Sequence, residues 1–387
     1  MSTNVRAGYN FDLNEDQQLI KESVKDFVER HVAPNVMARD ENHKFPHELI
    51  KMLADLNLLG MVYDEKYGGS GVDTISFALA LEEIARWDAS LALTLGSHTS
   101  LCSGHINIAG TEYQKEKYLT QLTSGEKLGG WALTEPGSGS DSSGLRTVAI
   151  KKGDKWILNG TKTFITQGTV GGIFVVLAIT DPSKGSKGIS AFIVEKGSPG
   201  FSQGGKMKKL GMNTSDTAEL IFEDCEIPEE NLLGDLNTAF LDSMKVLDGG
   251  RIGIGAIAVG ITRGCLEESL KYSAERHQFG KPIGHNQALQ WMMADMATQC
   301  EAARLMVHRA AWLKDQGKHY TKEASMAKLF ASELSTQSAL KAIQIHGGYG
   351  YIKEYHVERF LRDAKLLEIG EGTSEVQRMI IAKHIQK

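Results

Sequence analysis

The sequence has few cysteines, no surplus of positive charge, no long apolar run, and neither internal repeats nor low-complexity tracts. Each absence removes a class of function. Cys102, Cys225, Cys265 and Cys300 are widely spaced, with no CxxC and no Cys/His pair at ligand spacing. They read as buried thiols of a reducing compartment, not as a disulfide framework or a metal site. Lys plus Arg number 43 against 48 Asp plus Glu, a formal charge of −5, which offers no footprint for nucleic acid or an anionic membrane. The most apolar window, Ile252 to Ile261, sits between Arg251 and Arg263 and is too short to span a bilayer. The first eighteen residues lack an apolar core segment and carry acids early, so neither a secretory signal nor a transit peptide is expected, and the setting is expected to be cytoplasmic.

What is present is length and glycine. A chain of 387 residues suffices for two or three domains, and 24% charged with 41% hydrophobic residues is ordinary for a folded protein. Glycine, at 41 residues, exceeds the usual ~7% and implies many turns or many close approaches of backbone to ligand.

Three textures follow one another. Residues 1–128 read as helical: Asn14 with Gln17 resembles a capping box before Leu19, Ile20, Val24, Phe27 and Val28, and Pro34 closes that run. Pro46 suits a first helical residue ahead of Leu49, Ile50, Leu53 and Leu56, and Asp73 or Thr74 opens a helix carrying Phe77, Leu81, Ile84 and Ala85. Residues 129–234 read as short strands between turns. Arg146–Lys151 and Lys155–Leu158 form a hairpin, followed by Ile173–Ile179, Ile189–Val194 and Ala218–Phe222. No segment there is long enough for a crossover helix, so an antiparallel sheet or barrel is expected. Residues 235–387 are helical again, with breaks at Pro282-Ile283-Gly284, near Gly317, at Gly347–Gly350 and at Gly370–Gly372. The fold class is α+β, helical–sheet–helical.

Four segments could carry chemistry. Trp131 to Gly144 (WALTEPGSGSDSSG) contains GxG but precedes a strand, which argues against a Rossmann loop. It suits a phosphate or a polar heterocycle, or it is a surface turn. Phe164 and Thr166 place an aromatic beside a hydroxyl at a strand end, suited to a flat heteroaromatic ring or simply to a strand. Gln344 to Gly350 ends a helix in glycines, where His346 reads as a turn or partner contact before a catalyst. Glu371 lies between Gly370 and Gly372 before a helix. Burial there would raise its pKa into the range of a general base, whereas a Glu near a helix start can also be only a dipole partner.

Taken in order, these segments resemble the acyl-CoA dehydrogenase family from end to end. Ala132 to Gly144 matches its first motif. Gln344 to Tyr351 with Glu354, Arg359 and Asp363 matches its second, and Arg276 to Lys281 and Glu371 to Ser374 match further stretches. The resemblance implies an N-terminal helical domain (1–128), a middle antiparallel β-barrel (129–234) and a C-terminal four-helix bundle (235–387). It implies FAD, with Leu133, Thr134, Gly139 and Ser140 along the flavin or its pyrophosphate. Phe164 and Thr166 would lie on the isoalloxazine, Thr166 near N5, and Thr373 and Ser374 would complete the shell. Arg276, Gln278 and Gln287, with Gln344, Ile345, His346, Gly347 and Gly348, would reach the FAD of a neighbouring subunit, hence a homo-oligomer, a tetramer by family habit. Ser140, Asp248, Arg251 and Gly372 would meet acyl-CoA, and no metal is implied. Glu371 would take the α-proton as a hydride leaves Cβ for flavin N5, with an electron-transfer flavoprotein as acceptor.

Departures refine this. Isovaleryl-type relatives carry their base two residues beyond a Leu-Asp pair, where this chain has Gly250, so Glu371 is the only family-type base. No arginine lies between Arg86 and Arg146, against a glutaryl-type decarboxylating enzyme. Gly370 replaces the tyrosine of many straight-chain relatives, which would widen the acyl pocket toward branched groups. The rival reading is a non-catalytic scaffold of the same fold.

Overall fold

The computed structural model describes residues 11–386. The expectation about a leader rests in part on residues 1–10, which lie outside the described residues.

Asn14 opens α1 (Glu15–Phe27) with the reciprocal cap: its side chain accepts from Gln17 N at 2.8 Å and the Gln17 side chain accepts from Asn14 N at 3.0 Å. Val24, Phe27 and Val28 are buried and Ile20 packs against the core, but Leu19 is 63% exposed. It sits one residue off the Ile20–Val24–Phe27 stripe, roughly 100° round the helix. Then come α2 (Val36–Asn42) and α3 (His47–Asp55), the latter preceded by Pro46 as cap, not as first helical residue. Leu56 falls past the end of α3 and is exposed. Asp73 caps α4 (Thr74–Ala85), accepting from Ser76 N. α5 (Ala89–Ser97) continues through a π-helical stretch, His98–Ser103, into α6 (Gly104–Ala109), and two short turns of helix, α7 (Glu112–Gln114) and α8 (Thr120–Thr123), close this part.

The strands are β1 (Gly129–Ala132), β2 (Val148–Lys152), β3 (Lys155–Thr166), β4 (Ile173–Ile179), β5 (Ile189–Glu195), β6 (Phe201–Gln203), β7 (Thr217–Pro228) and β8 (Leu232–Leu233). They form one sheet in the order β6-β7-β3-β2-β4-β5-β8, with β1 on β4. This corrects the expectation of an antiparallel barrel: β6 and β8 are open edges, and β4 pairs in parallel with both β1 and β2. β1 and β2 share one edge of β4, β1 along Ile173–Val176 and β2 at Ile179, and the loop of residues 133–147 connects them. Because β1 and β4 are separated in sequence by the whole β2–β3 hairpin, their parallel pairing needs no crossover helix.

The last part is built on α9 (Ala239–Glu275), 37 residues long, followed by a small hairpin of β9 (His277–Gln278) and β10 (Lys281–Pro282), then α10 (Gln287–Asp315), α11 (Thr321–His346), α12 (His356–Leu367) and α13 (Ser374–Ile385). α9 packs on α4, α10 and α11, and one apolar core runs from α1 to α12 through it. At Gly260 a Cβ would lie 2.5 Å from the Glu82 carbonyl, so glycine lets α4 approach α9 closely. The charges this approach buries are paired: Arg263 holds both oxygens of Glu83, and Arg304 reaches Glu82 at 2.9 Å. All four cysteines are buried and free. Among the described residues no helix is long and apolar enough to cross a membrane, and no cluster of His, Cys, Asp or Glu could hold a metal ion.

Candidate active site

Glu371 sits in the turn between α12 and α13. Gly370 N bonds back to Leu366 O to end α12, and Thr373 caps α13 by accepting from Val376 N, which leaves two residues to reverse the chain. Glu371 adopts φ +55°, a left-handed backbone that costs a non-glycine residue about 1–3 kcal/mol and persists only where surroundings enforce it. Two buried side chains enforce it. Lys328 Nζ on α11 donates to Gly372 O at 2.7 Å, and Gln377 Nε2 on α13 donates to Gly372 O at 3.0 Å and Glu371 O at 3.3 Å.

The carboxyl points at α9. A Cβ on Gly250 would lie 2.1 Å from Glu371 Oε2 and 3.0 Å from Leu101 Cδ2, so Gly250 leaves the space that the carboxyl fills. The volume beside Gly250 is thus the one that the Glu371 carboxyl occupies. Oε2 is sealed from solvent with no hydrogen-bond partner, although the residue as a whole is half-buried. Burial raises the Glu371 pKa to about 7, against the opposing pull of Lys328 and Arg251. Arg251, itself buried, donates to Asp248 Oδ1 at 2.5 Å, and Thr321 Oγ1 donates to the other Asp248 oxygen.

Leu133 is buried in the cluster that contains Leu101, Trp131 and Val246, which ties the start of the 133–147 loop to α9. The loop folds on itself through Glu135–Ser138 backbone bonds of 3.0 Å in both directions, leaving the tip at Gly137 and Gly139 facing open space. Thr163 N donates to Thr134 O at 2.9 Å, placing Thr134 beside β3. A bulge between Lys162 and Ile165 puts Phe164 at φ +57° and turns its ring out, 68% exposed, next to the half-buried Thr166. Thr373 is half-buried and Ser374 buried, its Oγ without a partner.

The loop is anchored by a buried pair that sequence reasoning did not single out. Lys162 Nζ donates to Glu135 Oε1 at 2.7 Å and to Leu133 O at 3.1 Å, and Glu135 accepts from Arg146 N and Thr147 N. Burial works against the Glu135 charge, but Lys162 and Thr147 outweigh it and hold the carboxyl below its ordinary value. Lys162→Met strands that carboxylate and is expected to cost about 3–5 kcal/mol, read by urea denaturation, with loss of bound cofactor on dilution.

A second group lies elsewhere. Arg276, Gln278, Ile345, His346, Gly347 and Gly348 line one open pocket of about 530 Å³ with Tyr272 and Tyr349. His346 Nδ1 donates to Ala342 O at 2.8 Å and the ring stacks on Tyr272 with centroids 4.2 Å apart, so it is a packed wall. Gln287 and Gln344 are exposed and do not line this pocket. Gly250 and Arg276 are separated by roughly 39 Å along α9 at 1.5 Å per residue, so the pocket and Glu371 do not share one small ligand. Gly139 and Ser140 are exposed on the loop, and no hydrogen bond joins Ser140 to Asp248 or Arg251.

Lys328 and Gln377 were missed in the sequence. Lys328 alone left a signal, because it falls on the small-residue stripe Ala324, Ala327, Ala331, where a solvated lysine has no place.

A carboxyl oxygen sealed beside α9, an outward aromatic on the sheet and a glycine-tipped loop are thus distributed over a chain built in three parts. Profiles of the acyl-CoA dehydrogenase N-terminal, middle and C-terminal domains match residues 14–126, 130–225 and 240–386, and the chain belongs to the acyl-CoA dehydrogenase family. It is 47% identical over 376 residues, 97% of this chain and 99% of the other, to a short-chain specific acyl-CoA dehydrogenase of Clostridium acetobutylicum. It is 44% identical over 97% of its length, and 99% of the other's, to a caffeyl-CoA reductase–Etf complex subunit of Acetobacterium woodii. The butyryl-CoA dehydrogenase structure from Megasphaera elsdenii superimposes with a TM-score of 0.96 at 46% identity, covering 98% of this chain and all of that one.

Proposed function

We propose that the protein is an FAD-dependent acyl-CoA dehydrogenase that converts a short acyl-CoA thioester to its trans-2-enoyl-CoA, with Glu371 as the base. The observation that carries this is the Glu371 carboxyl, whose Oε2 is sealed beside Gly250 without a hydrogen-bond partner and whose pKa burial raises to about 7. An α-proton of a thioester does not leave unaided at neutral pH, and a base of that pKa is matched to the task. The Glu371 N–H has no acceptor among the described residues and is free to donate to the thioester oxygen as negative charge develops there.

The residues fit a flavin. The exposed Phe164 ring offers an apolar face beside the Thr166 hydroxyl, the Gly137–Gly139 tip is open backbone, and Ser374 Oγ lacks a partner. Leu133, Thr134, Gly139, Ser140, Phe164, Thr166, Thr373 and Ser374 would hold it, and when bound FAD supplies the hydride acceptor. Asp248 and Arg251, fixed to one another, would flank the acyl-CoA with Ser140 and Gly372. The pocket around Arg276 would receive the FAD of a second subunit, since its own chain's base is too distant, with the exposed Gln287 and Gln344 reaching that FAD from outside the pocket. This makes the working form a homo-oligomer, a tetramer or a dimer, with domains at 1–128, 129–234 and 235–387. An electron-transfer flavoprotein is the acceptor, in keeping with the Etf-complex relative, and four buried thiols suit a cytoplasmic setting.

The acyl group is short, with room for branching. A Cβ on Gly370 would meet only Leu366 O, at 3.6 Å, so the site has space where a larger side chain would stand. Isobutyryl-, 2-methylbutyryl- and isovaleryl-CoA are therefore expected to turn over at rates comparable with butyryl-CoA, and Gly370→Tyr to suppress the branched ones selectively. Mass spectrometry of the products should show loss of two hydrogens. A strict straight-chain preference contradicts the role of Gly370, and no enoyl product from any of the four contradicts the function.

A further inference from the structure

Lys328 is fully buried on α11, and its one hydrogen bond is to a carbonyl, Gly372 O. Gln377 Nε2 already donates to that oxygen. A buried ammonium is costly unless its charge meets an opposite one, so a carbonyl bond that a glutamine can make does not account for a lysine here. The charged groups facing Lys328 are Glu371 in the α12–α13 turn, Arg251 on α9, Glu368 at the end of α12 and Glu333 on α11. Glu368 is engaged by Thr336 and Lys365, and Glu333 by Arg378. Arg251 is engaged by Asp248. Among these groups Glu371 has no ion-pair partner, and among the described residues no carboxylate lies within 4 Å of Lys328. The cation without an ion pair, bonded to Gly372 O, and the carboxylate without one, on the preceding residue, therefore act on each other's charge.

We propose that Lys328 is a positioning residue for the reaction: its ammonium holds the Gly372 carbonyl, fixing Glu371 in its left-handed turn, and its charge favours the carboxylate form of Glu371. Burial pushes the Lys328 ammonium down to about 8, so it remains charged at neutral pH, where the base works. The inference rests on Glu371 being the base, and the two can fail separately.

The test uses the FAD-loaded oligomer. Lys328→Gln keeps a donor for Gly372 O and removes the charge, Lys328→Met removes both, and Lys328→Arg keeps the charge. The second-order rate of flavin bleaching by butyryl-CoA is followed against pH under anaerobic conditions. The acid limb of the Gln and Met variants is expected to move up by about one pH unit or more, and that of Lys328→Arg to stay near wild type. A Lys328→Gln limb that coincides with wild type, whatever its rate, overturns the proposal. A wild type that butyryl-CoA does not bleach would instead overturn the function.

Thermal melting gives an independent reading above pH 7. Lys328→Gln should lower the melting temperature less in a Glu371→Gln background than alone, because the counter-charge is already gone. Equal losses in both backgrounds overturn the pairing. If Lys328→Gln alone does not fold, recovery of folding in the double variant supports it and failure of both overturns it.

Discussion

Glu371→Gln is expected to slow turnover of butyryl-CoA by at least the 10²–10⁴-fold typical of losing a general base, with bound flavin and the affinity for acyl-CoA little changed. The amide is the same size, so Lys328 and Gln377 still hold the turn, and what disappears is only the group that can accept the α-proton. The same change should alter stability with a definite sign. The Glu371 pKa is raised in the folded state, from an ordinary 4.5 to about 7, so the folded protein holds a proton that the unfolded chain releases in this window. Stability contributed by the neutral acid is complete below about pH 4.5 and is lost as pH rises through about 7. Glu371→Gln should therefore melt higher than wild type above pH 7 and at about the same temperature well below pH 4.5. A variant that is less active and more stable is what a functional residue strained and desolvated for catalysis produces.

Gly250→Ala is the second large effect, because a single methyl group enters the volume of the base. Its Cβ would meet Oε2 at 2.1 Å, a separation no real pair adopts, and with Leu101 at 3.0 Å on the other side the carboxyl must shift. A misplacement of about 1 Å at the reacting group costs on the order of 10²-fold in rate. The neighbouring helical glycine is an internal control. At Gly249 the nearest atom to a new Cβ is Lys314 Nζ at 3.7 Å, an ordinary contact, so Gly249→Ala should leave the rate unaltered. Both substitutions gain helix propensity of up to about 1 kcal/mol, so the loss of rate in Gly250→Ala should not be accompanied by unfolding. Comparable rates for the two alanine variants would show that Glu371 does not occupy the space beside Gly250.

The sequence made legible what local chemistry fixes. The Asn14–Gln17 cap, the Asp73 cap, the span of β4 and the breaks at Pro282, Gly317, Gly347 and Gly370 all follow from the residues at those positions. Glu371 stood out as a candidate because a carboxylate between two glycines ahead of a helix is an uncommon arrangement, and the family resemblance is what made it the proposed base. Long-range pairing was not legible. Nothing local states that β1 pairs in parallel with β4, or that β6 and β8 remain edges. Lys155–Leu158 and the strand end at Phe164 and Thr166 were each legible, but not that they are one strand, since the bulges of β3 break the alternation by which strands are recognised. The groups that hold the base belong to the same category. Lys328 and Gln377 come from different helices and matter through where packing brings them, and the Glu135–Lys162 anchor spans 27 residues. Leu19 and Leu56 failed for the simpler reason that an apolar residue one step off a stripe, or one step past a helix end, faces water.

The central claim is that a buried Glu371 removes the α-proton while a bound flavin takes the hydride. The most direct test is the visible spectrum of the purified protein during anaerobic mixing with butyryl-CoA, repeated across pH with wild type and Glu371→Gln. The account predicts a yellow protein, bleached by the thioester at a second-order rate that falls away below about pH 7, and a Glu371→Gln variant that stays yellow on the same timescale. A protein that takes up no FAD, or a Glu371→Gln variant that bleaches as fast as wild type, would contradict it.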